Sequence, residues 1–545
     1  MSEVLKAQAG FGSPRLDAGA WSLKSYLPAA LPVVGSFLLL FLRIQFGKDH
    51  FIDDSALMMI ALACYLTAAT FHLLNLYAPS NMAQKLGLWL GSLGVFFNFS
   101  SWLVRWVAAR DREIEIFIRQ GRNLAELPWV FRYIPFANLY DLSLAFAFGA
   151  GITTMLISGR KNYRFLGAFS LPLAALILVL ARFIGSELIN LQPVLDSYWR
   201  PIHVGIASLS YGVALVCFAA AVIYLLKDGV KPESMAIWAA VFGLAVFATV
   251  SRYSVFWPST FGTYTSSTVV GESHVPLDLR ADIPYVGWLL ALAGLTLLGV
   301  IVAFIQYLRQ QSEQARVWGH HLLRLSLIVQ ALAIGMLVYQ VKTMNNVLAH
   351  VDTRQYEHFS TTMLRQEMEQ QQMPGEEVQA KLAQYTPQQL NQMATNWVAE
   401  NGALLKLSMN ANPVELSALI TVFVATLFVF FFSIRTDKLR ASLPSAERLD
   451  SLMYKTASVT FAGLAMLLIT GAIWANESWG HYWQWDSKET GAFVAWLTYG
   501  GFLHARISRG LSGRRAAYFA VVAFLLVIFT YLGVSYLLPG LHSYA

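Results

Sequence analysis

The chain has 545 residues, of which 56% are apolar and 13% charged, and its mean hydropathy is +0.50. That balance excludes an ordinary soluble domain, because the solvent for most of such a chain is lipid. The formal net charge of +7 comes with no nucleic-acid-binding signature, P-loop or nucleophile–base constellation, so nucleic-acid and nucleotide partners are not expected.

Apolar runs of about 20 residues cross a hydrocarbon core of roughly 30 Å. Thirteen such runs predict an all-α, polytopic membrane bundle, with spans near 27–46, 55–77, 86–108, 136–157, 165–185, 202–226, 235–255, 284–308, 318–340, 413–434, 453–475, 489–505 and 516–538. The first 26 residues hold no short apolar segment ending in a small-residue cleavage site, so the first helix is read as inserting the protein. Cys64 and Cys217 lie 153 positions apart inside apolar spans, which leaves neither a disulfide framework nor a redox pair. Basic residues set the topology. Arg160, Lys161 and Arg164, then Lys227 and Lys231, Arg309 and Arg316, Arg435 through Arg448, and Arg506 through Arg515 all fall on one side of a thirteen-span chain. That side reads as cytoplasmic, with the N-terminus inside and the C-terminus extracytoplasmic. The exception is 109–135, whose interleaved Arg, Asp and Glu suggest an amphipathic surface helix. Two outward segments are long: 256–283, and the polar, Gln-rich 341–412, which Pro374-Gly375 and Pro387 divide into short helices.

Between the eleventh and twelfth spans, on the outer side, stand Trp474, Trp479, Trp483 and Trp485, four tryptophans within twelve residues, followed by Asp486, Lys488 and Glu489. An interfacial aromatic belt explains the tryptophans alone. A platform for a large flat macrocycle explains both the indoles, which supply stacking area, and the charged groups, which orient an edge. His203 opens the sixth span and His542 follows the thirteenth, so both fall at the level of this loop, where a pair of neutral imidazoles could hold one iron from opposite faces. His504 lies fifteen residues beyond Glu489, about 22 Å down a helix and near the cytoplasmic side. A polar group there is either a capping or lipid-facing His beside Arg506 or a functional one. Arg182 and Glu187, near the outer end of the fifth span, could meet the carboxylate edge of a bound macrocycle or pair with each other, and pairing is the favoured reading; His72, His320 and His321 could supply a ligand near the inner boundary but read better as solvated polar residues, and His481 within the loop could aid binding of the macrocycle.

The run W-G-x-x-W-x-W-D-x-K-E before an apolar helix resembles the tryptophan-rich WWD loop of the CcsA/ResC cytochrome c biogenesis proteins. The resemblance continues through Leu449-Asp450, Gly471-Ala-Ile-Trp474-Ala, Leu503-His504-Ala-Arg506 and Gly540-Leu-His542-Ser-Tyr544, and through Asn138-Leu-Tyr140-Asp141, Leu191-Gln-Pro, Ser197-Tyr-Trp199, His203-Val204 and Ser210-Tyr211. It departs at Ser487, Asp141 and Ser535, where the family has Pro, Glu and Asn. It divides the chain into N-terminal spans 1–135, a core part 136–234, an insertion 235–449 carrying 341–412, and a second core part 450–545.

The resemblance implies a subunit of a cytochrome c synthetase that binds haem b. His203 and His542 would be the external axial ligands, and His504 would be one ligand of an inner site completed by a CcsB/ResB-type partner. Trp474, Trp479, Trp483, Trp485 and Asp486 would form the outer platform. The substrate implied is an apocytochrome c with a C-x-x-C-H segment, whose thiols other, thiol-reducing proteins keep reduced. The expected location is the cytoplasmic (inner) membrane with the haem site on the extracytoplasmic face. The alternatives are a CcmF/NrfE-like haem lyase subunit, whose loop normally continues W-D-P-V-E-N, and a haem exporter or b-type electron carrier without ligase activity. A dihaem carrier usually stacks two histidines some four turns apart on one helix, and no helix shows that pattern.

Overall fold

The computed structural model describes residues 23–188, 193–250, 262–271, 275–371, 373 and 375–534. In chain order the helices are α1 (Leu23–Phe46), α2 (Asp54–Tyr77), α3 (Asn81–Arg119), α4 (Leu139–Ser158), α5 (Gly167–Ile184), α6 (Trp199–Lys227) and α7 (Pro232–Thr249). Strands β1 (Thr265–Val270) and β2 (Arg280–Asp282) follow, then α8 (Val286–Gln310) and α9 (Glu313–Thr343). The outward segment holds α10 (Tyr356–Gln370), α11 (Gly375–Leu382), α12 (Pro387–Asn401) and β3 (Leu405–Leu407). The chain then continues with α13 (Pro413–Ser433), α14 (Thr436–Ser442), α15 (Ala446–Trp479), α16 (Ser487–Arg509) and α17 (Gly513–Ile528).

Among the described residues, twelve helices are long and apolar enough to cross a membrane: α1 to α9, α13, α15 and α17, three of them with short 3₁₀ or π extensions. The chain is a multi-pass, all-α membrane protein. The remaining expected span, 489–505, is present within the 23-residue α16 but is less apolar than the others. It nonetheless runs the length of its neighbours. A side chain at Gly491 would meet Thr530 at the end of α17, while Arg506 bonds Asp450 at the start of α15. Helix α16 is therefore antiparallel to both, and it tolerates polar positions because part of its surface faces protein rather than lipid.

Two cores divide the molecule. One gathers α2 to α6 with α15 to α17 around buried Tyr65, Phe146, Tyr211, Tyr499 and Tyr531. The other unites α7 to α9 and α13 with the outward segment around Phe247, Tyr264, Leu290, Phe359 and Val422. They meet where Phe169 of α5 packs on Phe428 and Phe432 of α13, with ring centroids 6.4 and 5.7 Å apart. On the end carrying Lys227, Arg440 donates from Nε to the Leu226 carbonyl (2.9 Å) and from Nη2 to that of Val230 (2.9 Å). Helices in lipid pack through small residues, and α4 and α6 touch backbone to backbone at Gly149 and Gly212, where a Cβ would collide.

The 341–412 segment is not a set of loose helices. Strand β1 pairs antiparallel with both β2 and β3, Thr265 opposite Asp282 and Val270 opposite Leu405, so the two long outward segments share one sheet. The Gln355 amide donates to the Arg280 carbonyl (3.0 Å) and accepts from its N–H (2.9 Å), tying the base of α10 to β2. Residues 109–119 form no separate surface helix. They continue α3 straight outward, held by Arg43 to Asp111 (2.7 Å), Lys48 to Glu115, and Arg112 to the Leu188 carbonyl.

Candidate functional site: an aromatic cleft at the mouth of the bundle

Four elements converge on the tryptophan loop: the start of α4, the start of α6, the end of α15, and α16 beside the end of α17. Asn138 caps α4 by accepting from the Asp141 N–H (3.0 Å). The Asp141 carboxylate takes the Ala137 N–H (2.8 Å) and pairs with buried Arg105, whose Nη2 also donates to the Glu187 carbonyl (2.9 Å). Tyr140 and Arg105 share Asp54 of α2, at 3.1 and 3.3 Å. This network fixes one wall.

Helix α6 contributes the second wall. Arg200 is 4% exposed and donates to the Arg132 carbonyl (2.8 Å), and one turn on stands His203. The His203 ring lies on α15 at Gly471, where a Cβ would come within 2.7 Å of Cε1 and 3.1 Å of Nδ1. Its Nδ1 is 3.0 Å from the Leu467 carbonyl and 3.4 Å from Thr470 Oγ1. A carbonyl only accepts, so Nδ1 carries the proton and Nε2 is the basic nitrogen, the tautomer that a metal-ligating imidazole needs. The Trp474 ring sits 5.6 Å from His203 at 47°.

The third wall is the loop. Helix α15 ends at Gly480, whose φ of 78° suits glycine. Helix α16 starts with a capping box in which Asp486 accepts from the Lys488 N–H (3.0 Å) and Glu489 reaches back to the Asp486 N–H (3.3 Å). At the far side α17 relaxes into a π turn, Phe529–Gly533, that carries Thr530 and Tyr531 to the floor. Tyr531 shares a 2.6 Å hydrogen bond with Ser143. Single π turns inside helices recur at functional sites.

The walls surround a cavity of about 150 Å³ that opens to solvent at its mouth, lined by Phe136, Asn138, Leu142, Arg200, His203, Tyr211, Leu467, Gly471, Trp474, Trp479, Trp483, Lys488, Glu489 and Tyr531, among others. His203, Trp474, Trp479 and Trp483 thus come together from segments some 270 residues apart. Trp485 and Asp486 do not line the cleft. Trp485 is 68% exposed and stands edge-on to Trp483 (5.6 Å) and Phe493 (6.4 Å), while Asp486 is 9% exposed and turned into its own helix as the cap.

His504 is exposed on α16, about 24 Å along the helix from Lys488 at 1.5 Å per residue, beside the Arg506–Asp450 pair (2.9 Å). His542 lies outside the described residues. Arg182 and Glu187 form no ion pair among the described residues; the Glu187 carbonyl accepts from Asn138 (3.3 Å) and Arg105 instead. His320 is held by Glu233 at 3.2 Å. His72 is buried against Gly87 and Gly167. His481 is exposed. No group of three or more His, Cys, Asp or Glu among the described residues could hold a metal by protein ligands alone.

Sequence reasoning missed Arg200, Gly471 and Tyr531. Arg200 had a usable signal, since it lies three residues before His203 on the same helical face. Gly471 stood in a family-like run that gave no hint of its part in seating His203, and Tyr531 had no signal, because only the crossing of α6, α15 and α17 brings them to the cleft.

The donor set suits a flat, metal-bearing macrocycle. It offers one basic imidazole nitrogen, stacking indoles, and the buried indole N–H groups of Trp474 and Trp483, which have no acceptor among the described residues. The fold and cleft therefore define a class, a helical membrane protein with an aromatic, histidine-bearing ligand site. Comparison with known proteins carries the assignment further. The sequence profile of the family described as "Cytochrome C assembly protein" matches residues 136–281 and 404–542, more than half of the chain, and the chain belongs to that family. It is 57% identical over 98 residues to the "Cytochrome c biogenesis protein CcsA" of Prochlorococcus marinus, covering 18% of this chain and 31% of the relative. It is 51% identical over 102 residues to that of Parasynechococcus marenigrum, covering 19% and 33%. It is 50% identical over 113 residues to another from Prochlorococcus marinus, covering 20% and 36%. The chain thus spans about a third of the length of the relatives it matches.

Proposed function

We propose that this chain is the CcsA/ResC-type subunit of a cytochrome c synthetase. It receives haem b as cargo and presents it in the aromatic cleft to an apocytochrome c C-x-x-C-H segment, together with a CcsB/ResB-type partner. The observation that carries this reading is the cleft itself, where His203, held through Nδ1, shares its walls with Trp474, Trp479 and Trp483. When bound, haem supplies two vinyl groups, and each apocytochrome thiol adds across one, forming a C–S bond and passing its proton to the neighbouring vinyl carbon with no net redox change.

The residues of this chain bind and orient. His203 Nε2 would hold the iron, and the indoles lining the cleft would supply stacking area and exclude water. His542, eleven residues after Tyr531 in the sequence, would be the second histidine to hold it. No thiol is needed from this chain. Cys217 is buried with its Sγ 3.5 Å from the Met453 carbonyl, and Cys64 sits within α2, so the reacting thiols belong to the substrate and are kept reduced by other proteins.

His504 belongs to an inner site whose second ligand comes from the partner, a reading supported by its exposure on the α16 surface. The basic connections make the Lys227 end cytoplasmic, which puts the cleft on the extracytoplasmic face of the inner membrane, the N-terminus inside and the C-terminus outside. The division into 1–135, 136–234, 235–449 and 450–545 belongs to the same reading; the family match begins at 136 as that division has it, but it runs on to 281 and resumes at 404, so it leaves out only 282–403 of the proposed insertion.

The test is co-expression with a CcsB-type partner and a C-x-x-C-H reporter cytochrome. Covalent haem on the reporter that depends on both His203 and His542 is expected. An exporter or electron carrier would leave the reporter without thioether-linked haem, and so would overturn the ligase reading.

A further inference from the structure

The turn that joins α8 to α9 is two residues long, Gln311 and Ser312, and Gln311 takes a left-handed φ of 53°. The two helices leave it antiparallel and meet at Gly299, where a Cβ would stand 3.0 Å from Leu322 Cδ1. Beside that contact runs an open groove of about 580 Å³, within the roughly 300–1,000 Å³ of small-molecule clefts. Leu295, Leu298 and Val302 wall it and are half or more exposed. Toward the turn the lining becomes polar through Gln306, Ser312 and Gln314, with exposed Trp318 beside them. Leu295, Val302 and Arg309 follow one another at seven-residue spacing on α8, so Arg309 continues the groove face past its polar end. The other charges at this turn are taken. Arg316 pairs with Glu233 (2.9 Å) and Glu313 (3.3 Å), Glu233 also holds His320 (3.2 Å), and Lys231 donates to Gln311 Oε1 (3.1 Å) and the Tyr307 hydroxyl (3.3 Å). The exposed Arg309 guanidinium has no ion pair or hydrogen bond among the described residues.

We infer that the α8–α9 groove seats one anionic phospholipid of the leaflet at the Lys227 end, with an acyl chain along Leu295, Leu298 and Val302 and the phosphate at Arg309. An apolar trough, then polar side chains beside a tryptophan, then an unpaired cation follow in the order in which such a lipid presents its tail, its glycerol esters and its phosphate. A quinone tail or a partner helix would fill the trough without using the cation. Lys231 ties the turn to the Lys227 end, which fixes the leaflet. The inference is independent of the haem reading. Its walls lie within 282–403, the stretch that the family match leaves out, so the groove comes with the additional spans.

The test reconstitutes the full chain in phosphatidylcholine vesicles and adds lipids brominated on the acyl chain, which quench nearby indoles. The Trp318 signal is the difference between the wild type and Trp318→Phe. Brominated phosphatidylglycerol should quench this signal at about fivefold lower mole fraction than brominated phosphatidylcholine, the effect expected of one Arg at the membrane surface. Arg309→Gln should erase that preference while quenching by phosphatidylcholine stays at the wild-type level, and Arg309→Lys should keep it. Equal quenching by the two lipids in the wild type means ordinary boundary lipid and overturns the inference, as does an unchanged preference in Arg309→Gln. Quenching by neither lipid also overturns it, because protein, from a second copy or a partner helix, then covers the groove. None of these outcomes bears on the haem reading, which the reporter cytochrome tests separately.

Discussion

His203 depends on a residue with no side chain. Its ring occupies the space a Cβ would take at Gly471, and the Leu467 carbonyl sets its tautomer. Replacing His203 with Ala should open a coordination position and lower haem retention, with added imidazole partly restoring the low-spin spectrum; wild-type spectra in the variant would remove His203 from the ligand set. Gly471→Ala should act through the same ring. Overpacking costs about 1–3 kcal/mol, and a loss of about 1.4 kcal/mol is tenfold in affinity, so haem should bind about tenfold or more weakly with no ligand removed. Unaltered affinity would mean that α15 yields at this point. His203 itself was legible in the sequence because a histidine opening an outer-side apolar span is a local feature. The glycine beneath it was not, since its partner is 268 residues away.

At the scale of an element, α16 and its loop separate two roles that composition merges. Aspartate in a tryptophan-rich loop reads as a ligand-orienting charge, yet Asp486 is the N-cap of α16, and the D-x-x-E spacing to Glu489 was a visible capping-box signature. Asp486→Asn keeps a good cap and should leave thermal stability and haem occupancy near wild type. Asp486→Ala should cost about 1 kcal/mol of local stability and lower occupancy by letting the α16 start fray beneath Lys488. Spectral titration with a melting curve for each variant checks this, and equal loss in both would restore a charge role for Asp486. Exposed Trp485 is a different matter: its aromatic partners among the described residues are Trp483 and Phe493, so its truncation should leave cleft binding largely intact.

Across the whole molecule, the outward segment is built into the second core and stands apart from the cleft. Beyond the shared sheet, Arg280 pairs with Glu415 (3.1 Å), and Phe359 packs on Trp397 with centroids 4.9 Å apart. A docking arm for the partner or the apocytochrome is the role proposed for it. Deleting 352–398 with a short flexible linker should loosen β2 through loss of Gln355, yet leave haem spectra near normal while reporter maturation falls. Loss of haem together with maturation would tie the segment to the haem site, and full activity would refute the docking role.

Sequence alone determined that the chain lives in lipid, where its spans run, that the tryptophan loop and His203 share one membrane level, and which family it resembles. These follow from apolar length and from local motifs, both properties of contiguous residues. Even the least apolar span, 489–505, was legible as a helix. Only the tertiary structure decided that 109–119 extends α3, that the two outward segments close one sheet, and that Trp474, Trp479 and Trp483 line one cleft with His203 while Trp485 and Asp486 do not. It also decided that Arg182 and Glu187 stay apart and that the acids flanking Lys488 bond to backbone instead. In lipid, packing is chosen by small residues, close backbone approach and a few buried polar bonds rather than by an apolar stripe. The face a helix turns inward is therefore set by partners hundreds of residues away, and composition does not encode it.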